Sequence, residues 1–246
     1  MNNKEAKMRN LLLALLACTT TLMLVACGHE TATTVPVEGV VEYDIMYSGN
    51  IKANNITCSM LPSKIKCRYN KDGFKLSSQA GLGMAKLSIV ATADDSYITM
   101  DINGDKYLAP FAKLFTEEDY QRRNTQIKLN ESEETEIVAG WESKLTTAVC
   151  QSPIGEVRID TYYVPEPRLN RELKDSPIPN VPGLITALKI TNADSNVIII
   201  LSDIYTDKVS SDEFIRPTAY CNRETDRENI DSLIISNLPI LSKVDF

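Results

Sequence analysis

A single imidazole limits the chemistry open to this chain of 246 residues, because His29 is its only histidine. Serine–histidine–acid and cysteine–histidine catalysis both require an imidazole held beside the nucleophile. His29 lies in a short polar stretch two residues from Cys27, so it reads as a solvated residue, and zinc sites built on histidine fall with it. Asp101, Asn103 and Asp105 imitate the first ligands of a calcium loop. Such a loop needs glycine sixth and glutamate twelfth; here those positions hold Lys106 and Ala112. A hairpin turn on Asn103-Gly104 accounts for the segment better. Paired carboxylates for glycoside hydrolysis are defined by spacing in three dimensions. Asp94-Asp95 reads as a turn, and Glu131 to Glu136 as a solvated acidic loop. Gly81-Leu82-Gly83 lacks the residues of a phosphate loop and reads as a flexible connection. Lys64, Lys66 and Arg68 alternate along one strand and could meet anionic headgroups, but any exposed sheet face shows that alternation. The reading is a protein that is not an enzyme, with catalytic residues none, metal none and cofactors none.

One cysteine has a clearer chemical assignment. Lys4, Lys7 and Arg9 form a basic lead, Leu11 to Val25 form an apolar core of about fifteen residues, and small residues precede Cys27. That core is too short to cross a bilayer as a helix and has the order of an export signal. Leu22 to Cys27 resembles the lipobox of bacterial lipoproteins, in which the signal is cut before the cysteine and the thiol carries diacylglycerol. The resemblance implies residues 1–26 as signal peptide and Cys27 as the lipid attachment site.

Removing residues 1–26 leaves 23 Lys+Arg against 32 Asp+Glu. That balance argues against nucleic acid, whose binding relies on clustered cations, and leaves the lipid as the means of holding a membrane. Export places Cys58, Cys67, Cys150 and Cys221 in an oxidising compartment, where four cysteines allow three disulfide pairings. If Pro62-Ser63 form a two-residue hairpin turn, Cys58 and Cys67 lie directly opposite and within bridging range; Cys150 with Cys221 would be the other pair.

Residues 27–36 read as a lipidated flexible tether, about 15–18 Å long in the r.m.s. sense. From Val37 onward period-two alternation dominates. Val41, Tyr43, Ile45 and Tyr47 share one face, as do Ile65, Cys67 and Tyr69, then Ile98, Met100 and Ile102, then Val157, Ile159, Thr161 and Tyr163. Each run fits a strand with one buried and one wet face. Further strands are expected near 54–61, 73–79, 84–92, 126–130, 134–149 and 183–192. Val197 to Leu201 is apolar on both faces, so both should be covered. Pro110 can open a short helix bearing Phe111, Leu114 and Phe115, and another can begin near Asn222. The proline-rich stretch 164–182 is the longest irregular segment, a length that tends to be functional or mobile. About ten strands with hairpin turns predict a mainly β (α+β) fold, an antiparallel meander. Residues 221–246 read as a C-terminal extension.

Asn180-Val181-Pro182-Gly183-Leu184-Ile185 resembles the signature of the GLPGLI family of β-rich bacterial lipoproteins and periplasmic proteins. Glu38 to Tyr43, Val138 to Glu142, Gly155-Glu156-Val157, Tyr162-Tyr163 and Phe214 to Pro217 follow the same order. The resemblance covers roughly residues 37 to 220. The family is similar in outline to the lipoprotein carriers and receptors of the Lol system. It implies an unclosed half-barrel over residues 37–220, with one or two short helices on a concave side that encloses apolar space. The implied function is a lipid-anchored envelope protein holding a hydrophobic ligand or acyl chain. Candidate ligand-facing residues are Val41, Tyr43, Ile45, Ile98, Met100, Phe111, Phe115, Val157 and Ile159. The alternative is a structural or protein-interaction lipoprotein with a filled core and an envelope protein partner. Gly28 follows the cysteine where aspartate often marks inner-membrane retention, so the expected place is the outer membrane, facing the periplasm.

Overall fold

The computed structural model describes residues 34–49, 61–114, 128–152, 155–166, 183–193, 195–221 and 225. Eleven antiparallel strands form one open sheet: β1 (Gly39–Gly49), β2 (Lys64–Tyr69), β3 (Gly73–Ala80), β4 (Ala85–Thr92), β5 (Ser96–Ile102), β6 (Asp105–Pro110), β7 (Lys128–Val138), β8 (Trp141–Ser152), β9 (Gly155–Pro165), β10 (Gly183–Thr191) and β11 (Ser195–Tyr205). Their spatial order is β6-β5-β4-β3-β2-β1-β11-β10-β9-β8-β7. Two meanders therefore run outward from the centre and join through β1 and β11. The edges, β6 and β7, are consecutive in sequence.

The turns follow from local chemistry. Asn103 and Gly104 both take positive φ, at 54° and 90°, the type I′ geometry whose twist matches a hairpin. The carboxylate of Asp101 accepts the Gly104 N–H at 3.0 Å. Asn70 Oδ1 accepts the N–H groups of Asp72 and Gly73, an Asx turn that reverses the chain between β2 and β3. Thr92 Oγ1 does the same for Asp94 and Asp95. Leu82, between two glycines, adopts φ 55° within a single 3-10 turn.

Several sequence expectations are corrected. The stretch expected as one strand over 134–149 is broken by Ala139-Gly140, both at positive φ (51° and 81°), so β7 and β8 form a hairpin. Pro110 closes β6 instead of opening a helix, and a single 3-10 turn, Phe111–Lys113, follows. The Pro62-Ser63 hairpin does not form. Cys67 pairs with Val41 on one side and Leu76 on the other, and Ile45 N–H donates to Ser63 O at 2.8 Å. With both edges of β2 occupied, no further strand can lie opposite Cys67, and Cys67 is a free thiol. The strand near 54–61, Cys58, the side chains of Cys150 and Cys221, Phe115, most of the 164–182 stretch, Cys27 and the helix expected near Asn222 lie outside what is described.

The register assigns every strand residue to a face. On one face, Tyr43, Cys67, Tyr69, Phe74, Ile199, Leu201 and Ile204 pack with Val35 and Leu184. Ile89 and Ile98 on the same face take Phe111 and Leu114 of the 3-10 turn. On the opposite face, Val90, Tyr97 and Leu108 are covered by Val209, Phe214 and Tyr220. These come from the segment after β11, which ends in the four-residue helix α1 (Thr218–Cys221).

Candidate functional site

The strap formed by residues 206–221 covers the apolar cluster on one face of the sheet. Arg68 Nε and Nη2 donate to the two carboxylate oxygens of Glu213 at 2.7 and 3.1 Å, and Nη1 donates to Asp207 at 2.8 Å. Glu213 holds the Arg68 guanidinium above its ordinary range, with Asp207 adding to the effect. Arg216 closes a two-pronged pair with Asp95 at 2.6 and 2.7 Å, the strong geometry for a guanidinium. Asn70 Nδ2 donates to Val209 O and the Tyr97 hydroxyl to Phe214 O. A Cβ on Gly73 would come within 2.9 Å of the Phe214 ring, so the strap lies directly on β3. Thr225 N–H donates to Leu108 O at 2.8 Å, placing the chain beside β6 as well.

The other face is differently built. Pairings carry Val41, Tyr43, Ile45 and Tyr47 of β1 across to Ile65, Cys67 and Tyr69, then to Phe74, Leu76 and Ser78, then to Leu87 and Ile89, and on to Ile98 and Met100. In the other direction they reach Leu201, Ile199 and Val197, then Leu188 and Ile190, then Ile159 and Thr161. No charged residue occupies this face on β1–β5 or β9–β11, whereas register places Asp105 of β6 and Lys144 of β8 on it; the charge-free face is that of these eight strands. The charged residues of these strands alternate onto the opposite face, where several are paired. Lys64 lies 3.6 Å from Asp44. Lys66 donates to the Tyr205 hydroxyl at 3.1 Å and to Glu42 at 3.0 Å, and Tyr205 also donates to Glu42. Those bonds raise Lys66 and, led by Lys66, lower Glu42. The triad Lys64, Lys66 and Arg68 is thus a set of ion-paired side chains.

Seven of the nine candidate ligand-facing residues, Val41, Tyr43, Ile45, Ile98, Met100, Val157 and Ile159, share the charge-free face by register. Phe111 packs onto that face, and Phe115 is outside the described residues. Their exposure divides them. Val41 (2 %), Met100 (4 %) and Phe111 (1 %) are core. Ile45, Ile98, Val157 and Ile159 remain half-buried, as do Ile65, Phe74, Ile89, Val197 and Ile199, which sequence reasoning left off its ligand-facing set. The alternation of Ile65-Cys67-Tyr69 and the two-faced run at 197–201 were the available signals. Burial raises the Tyr43 phenol well above its ordinary value and pushes the Cys67 thiol up to about 12, the signature of groups held away from water.

The sheet also bears an open groove of about 370 Å³, lined by Glu42, Ser63, Lys64, Ile65, Lys66, Ser77, Ser78 and Gln79. Seven of these eight residues are polar or charged by type, Ile65 being the apolar one, and their aliphatic stems contribute to its walls. Among the described residues no group of three metal-ligating side chains gathers, and no helix is long and apolar enough to cross a membrane.

No family model matches the chain, and no curated protein matches it. Solved structures to which it is similar include two mycobacterial lipoproteins and a LolA superfamily chain. Lipoprotein LppX from Mycobacterium tuberculosis is 11 % identical, with 68 % of this chain and 86 % of that one covered, at a TM-score of 0.32. LprF from Mycobacterium bovis is 13 % identical over 73 % and 90 %, at 0.32. A LolA superfamily protein from Nitrosomonas europaea is 8 % identical over 73 % and 90 %, at 0.34.

Proposed function

We propose that this chain is a non-catalytic binding protein of the cell envelope that holds an apolar ligand, such as a lipid acyl chain, on the charge-free face of an unclosed half-barrel. Cys27 carries the lipid that anchors it, on the periplasmic side of the outer membrane, and the 3-10 turn at Phe111–Lys113 lies at the concave side. One observation carries the reading. Large aliphatic side chains on eight neighbouring strands are only partly buried on one face, while the strap seals the apolar cluster of the other. Apolar side chains left partly open along one face favour association with an apolar partner, and binding sites for small molecules are largely apolar and preformed.

Trp141 gives the test a built-in reporter, since it is the only tryptophan and packs half-buried against the Tyr43–Leu201 cluster. Protein purified from its own membranes and sprayed under native conditions is expected to carry lipid adducts. Delipidated protein is expected to shift its Trp141 emission when a monoacylglycerol is returned. A clean protein mass combined with unmoved emission would show the face to be closed, and the reading would be abandoned.

A further inference from the structure

We propose that the groove of about 370 Å³ is a binding site in its own right and takes an uncharged polyhydroxyl ring, such as a hexose unit. None of the nine candidate ligand-facing residues lines it, so this inference goes beyond the functional reading above. Register sets Glu42, Lys66 and Ser77 side by side across β1, β2 and β3. Lys64 and Gln79 lie two residues further along the same face, toward the end of the sheet where β2 starts and β3 stops. The charges here are already matched. Lys66 is pinned by Glu42 Oε1 at 3.0 Å, by the Tyr205 hydroxyl at 3.1 Å and by the Tyr205 ring, whose centroid is 5.8 Å away. Lys64 lies 3.6 Å from Asp44. Two ammonium groups thus face two carboxylates, and an ionic guest would have to break a pair before making one. Hydrogen-bonding capacity is less fully used. An ammonium has three N–H groups, so those two bonds leave Lys66 one to give. Among the described residues, Glu42 takes its hydrogen bonds on Oε1, which leaves Oε2 as an acceptor. The Ser77 hydroxyl shares one bond with Ser88, and the exposed Gln79 amide adds two donors and an acceptor. Sugar hydroxyls both donate and accept, so they satisfy such a mixed set without bringing charge. The aliphatic stems of Lys64 and Lys66, with Ile65, give ring C–H groups a surface to lie on. The volume falls at the small end of the about 300–1,000 Å³ typical of small-molecule sites.

The test uses the full chain and saturation-transfer NMR with glucose, galactose, mannose and N-acetylglucosamine. Each is offered as the free sugar and as its methyl glycoside, which separates a free monosaccharide from a linked unit. Inorganic phosphate and phosphocholine serve as ionic probes. At least one sugar is expected to bind in the millimolar range and to hold its place against both ions. Gln79→Ala, at an exposed position, is expected to weaken that sugar about three- to tenfold. Glu42→Gln keeps an acceptor oxygen but leaves Lys66 unmatched, so it is expected to let phosphate in. Absence of signal from every sugar overturns the inference, as does a bound sugar indifferent to Gln79→Ala or a Glu42→Gln chain that still refuses phosphate. Phosphate or phosphocholine outcompeting every sugar on the parent chain overturns it too, because the groove would then be built for charge. Trp141 emission with a monoacylglycerol reads the apolar face independently, so these outcomes leave the functional reading untouched.

Discussion

Cys67 shows how one residue reports on its surroundings. Its thiol shares the charge-free face with Tyr43 and Tyr69, and no other described cysteine side chain is within bonding reach. An unfolded thiol ionises near its ordinary value of 9.0, whereas burial holds the folded one protonated up to about 12. Between those values the unfolded chain binds fewer protons than the folded one, so stability is complete below about 9 and falls as pH rises through the window. The slope is about 1.4 kcal/mol per pH unit for one such group. Urea unfolding between pH 9 and 10 should therefore show a shallower loss in Cys67→Ala than in the parent; parallel slopes would mean that the thiol is exposed. Peptide mapping after thiol labelling at pH 8 should likewise find residue 67 unmodified in the folded protein and modified once urea is added. The free thiol also explains why sequence alone paired it wrongly. Opposition across a Pro62-Ser63 turn is a local deduction, whereas the partners of β2 come from β1 and from β3.

At the scale of elements, the strands were legible because period-two alternation is written into residues two apart, and Val41 to Tyr47 or Ile98 to Ile102 needed no tertiary information. Breaks in that rhythm were harder. Ala139 carries no turn signal, yet it adopts the left-handed conformation beside Gly140, which costs a non-glycine residue about 1 kcal/mol. Asparagine tolerates that conformation and suits the first position of a type I′ turn, so Ala139→Asn is expected to stabilise the protein by about 0.5–1 kcal/mol. A thermal melt would check it; a lowered midpoint would contradict the turn geometry. The strap was not legible at all, because Arg68 meets Glu213 and Asp207 across 145 and 139 positions of sequence. Its apolar anchor is Phe214, buried against Val90, Tyr97 and Leu108. Phe214→Ala should cost about 3–5 kcal/mol, read by denaturant midpoint. Arg68→Ala should cost less, since both partners reach solvent in part and can be rehydrated. If Phe214→Ala were neutral, the strap would add nothing to the packing of the sheet and the face it covers would not be sealed.

For the whole molecule, the strand order sets where the chain can be cut. All ladders except one lie within 39–110 or within 128–205, and the exception, β1 with β11, joins the halves through ten directly opposed residue pairs. The strap adds a second set of contacts, from 206–221 back onto β2–β5. The segment between β6 and β7 joins the two outer edges and lies within no ladder described. A nick there should leave every described strand pairing intact. A protease site inserted after residue 118 and cleaved in the folded state should therefore give two fragments that elute as one species with unchanged far-ultraviolet dichroism, separating only in denaturant. The loss should be mainly entropic, because the broken link no longer limits the unfolded chains, so the nicked protein's midpoint becomes dependent on its concentration. A cut between β1 and β2 is the contrasting case. It frees Gly39–Gly49, the strand through which both halves are paired, from its neighbour in sequence while leaving its ladders to hold it. If cleavage after residue 118 instead released a fragment spontaneously, the central pairing of β1 with β11 would be too weak to unite the sheet. The apolar face that runs across both halves, and with it the proposed binding surface, would then not exist in solution.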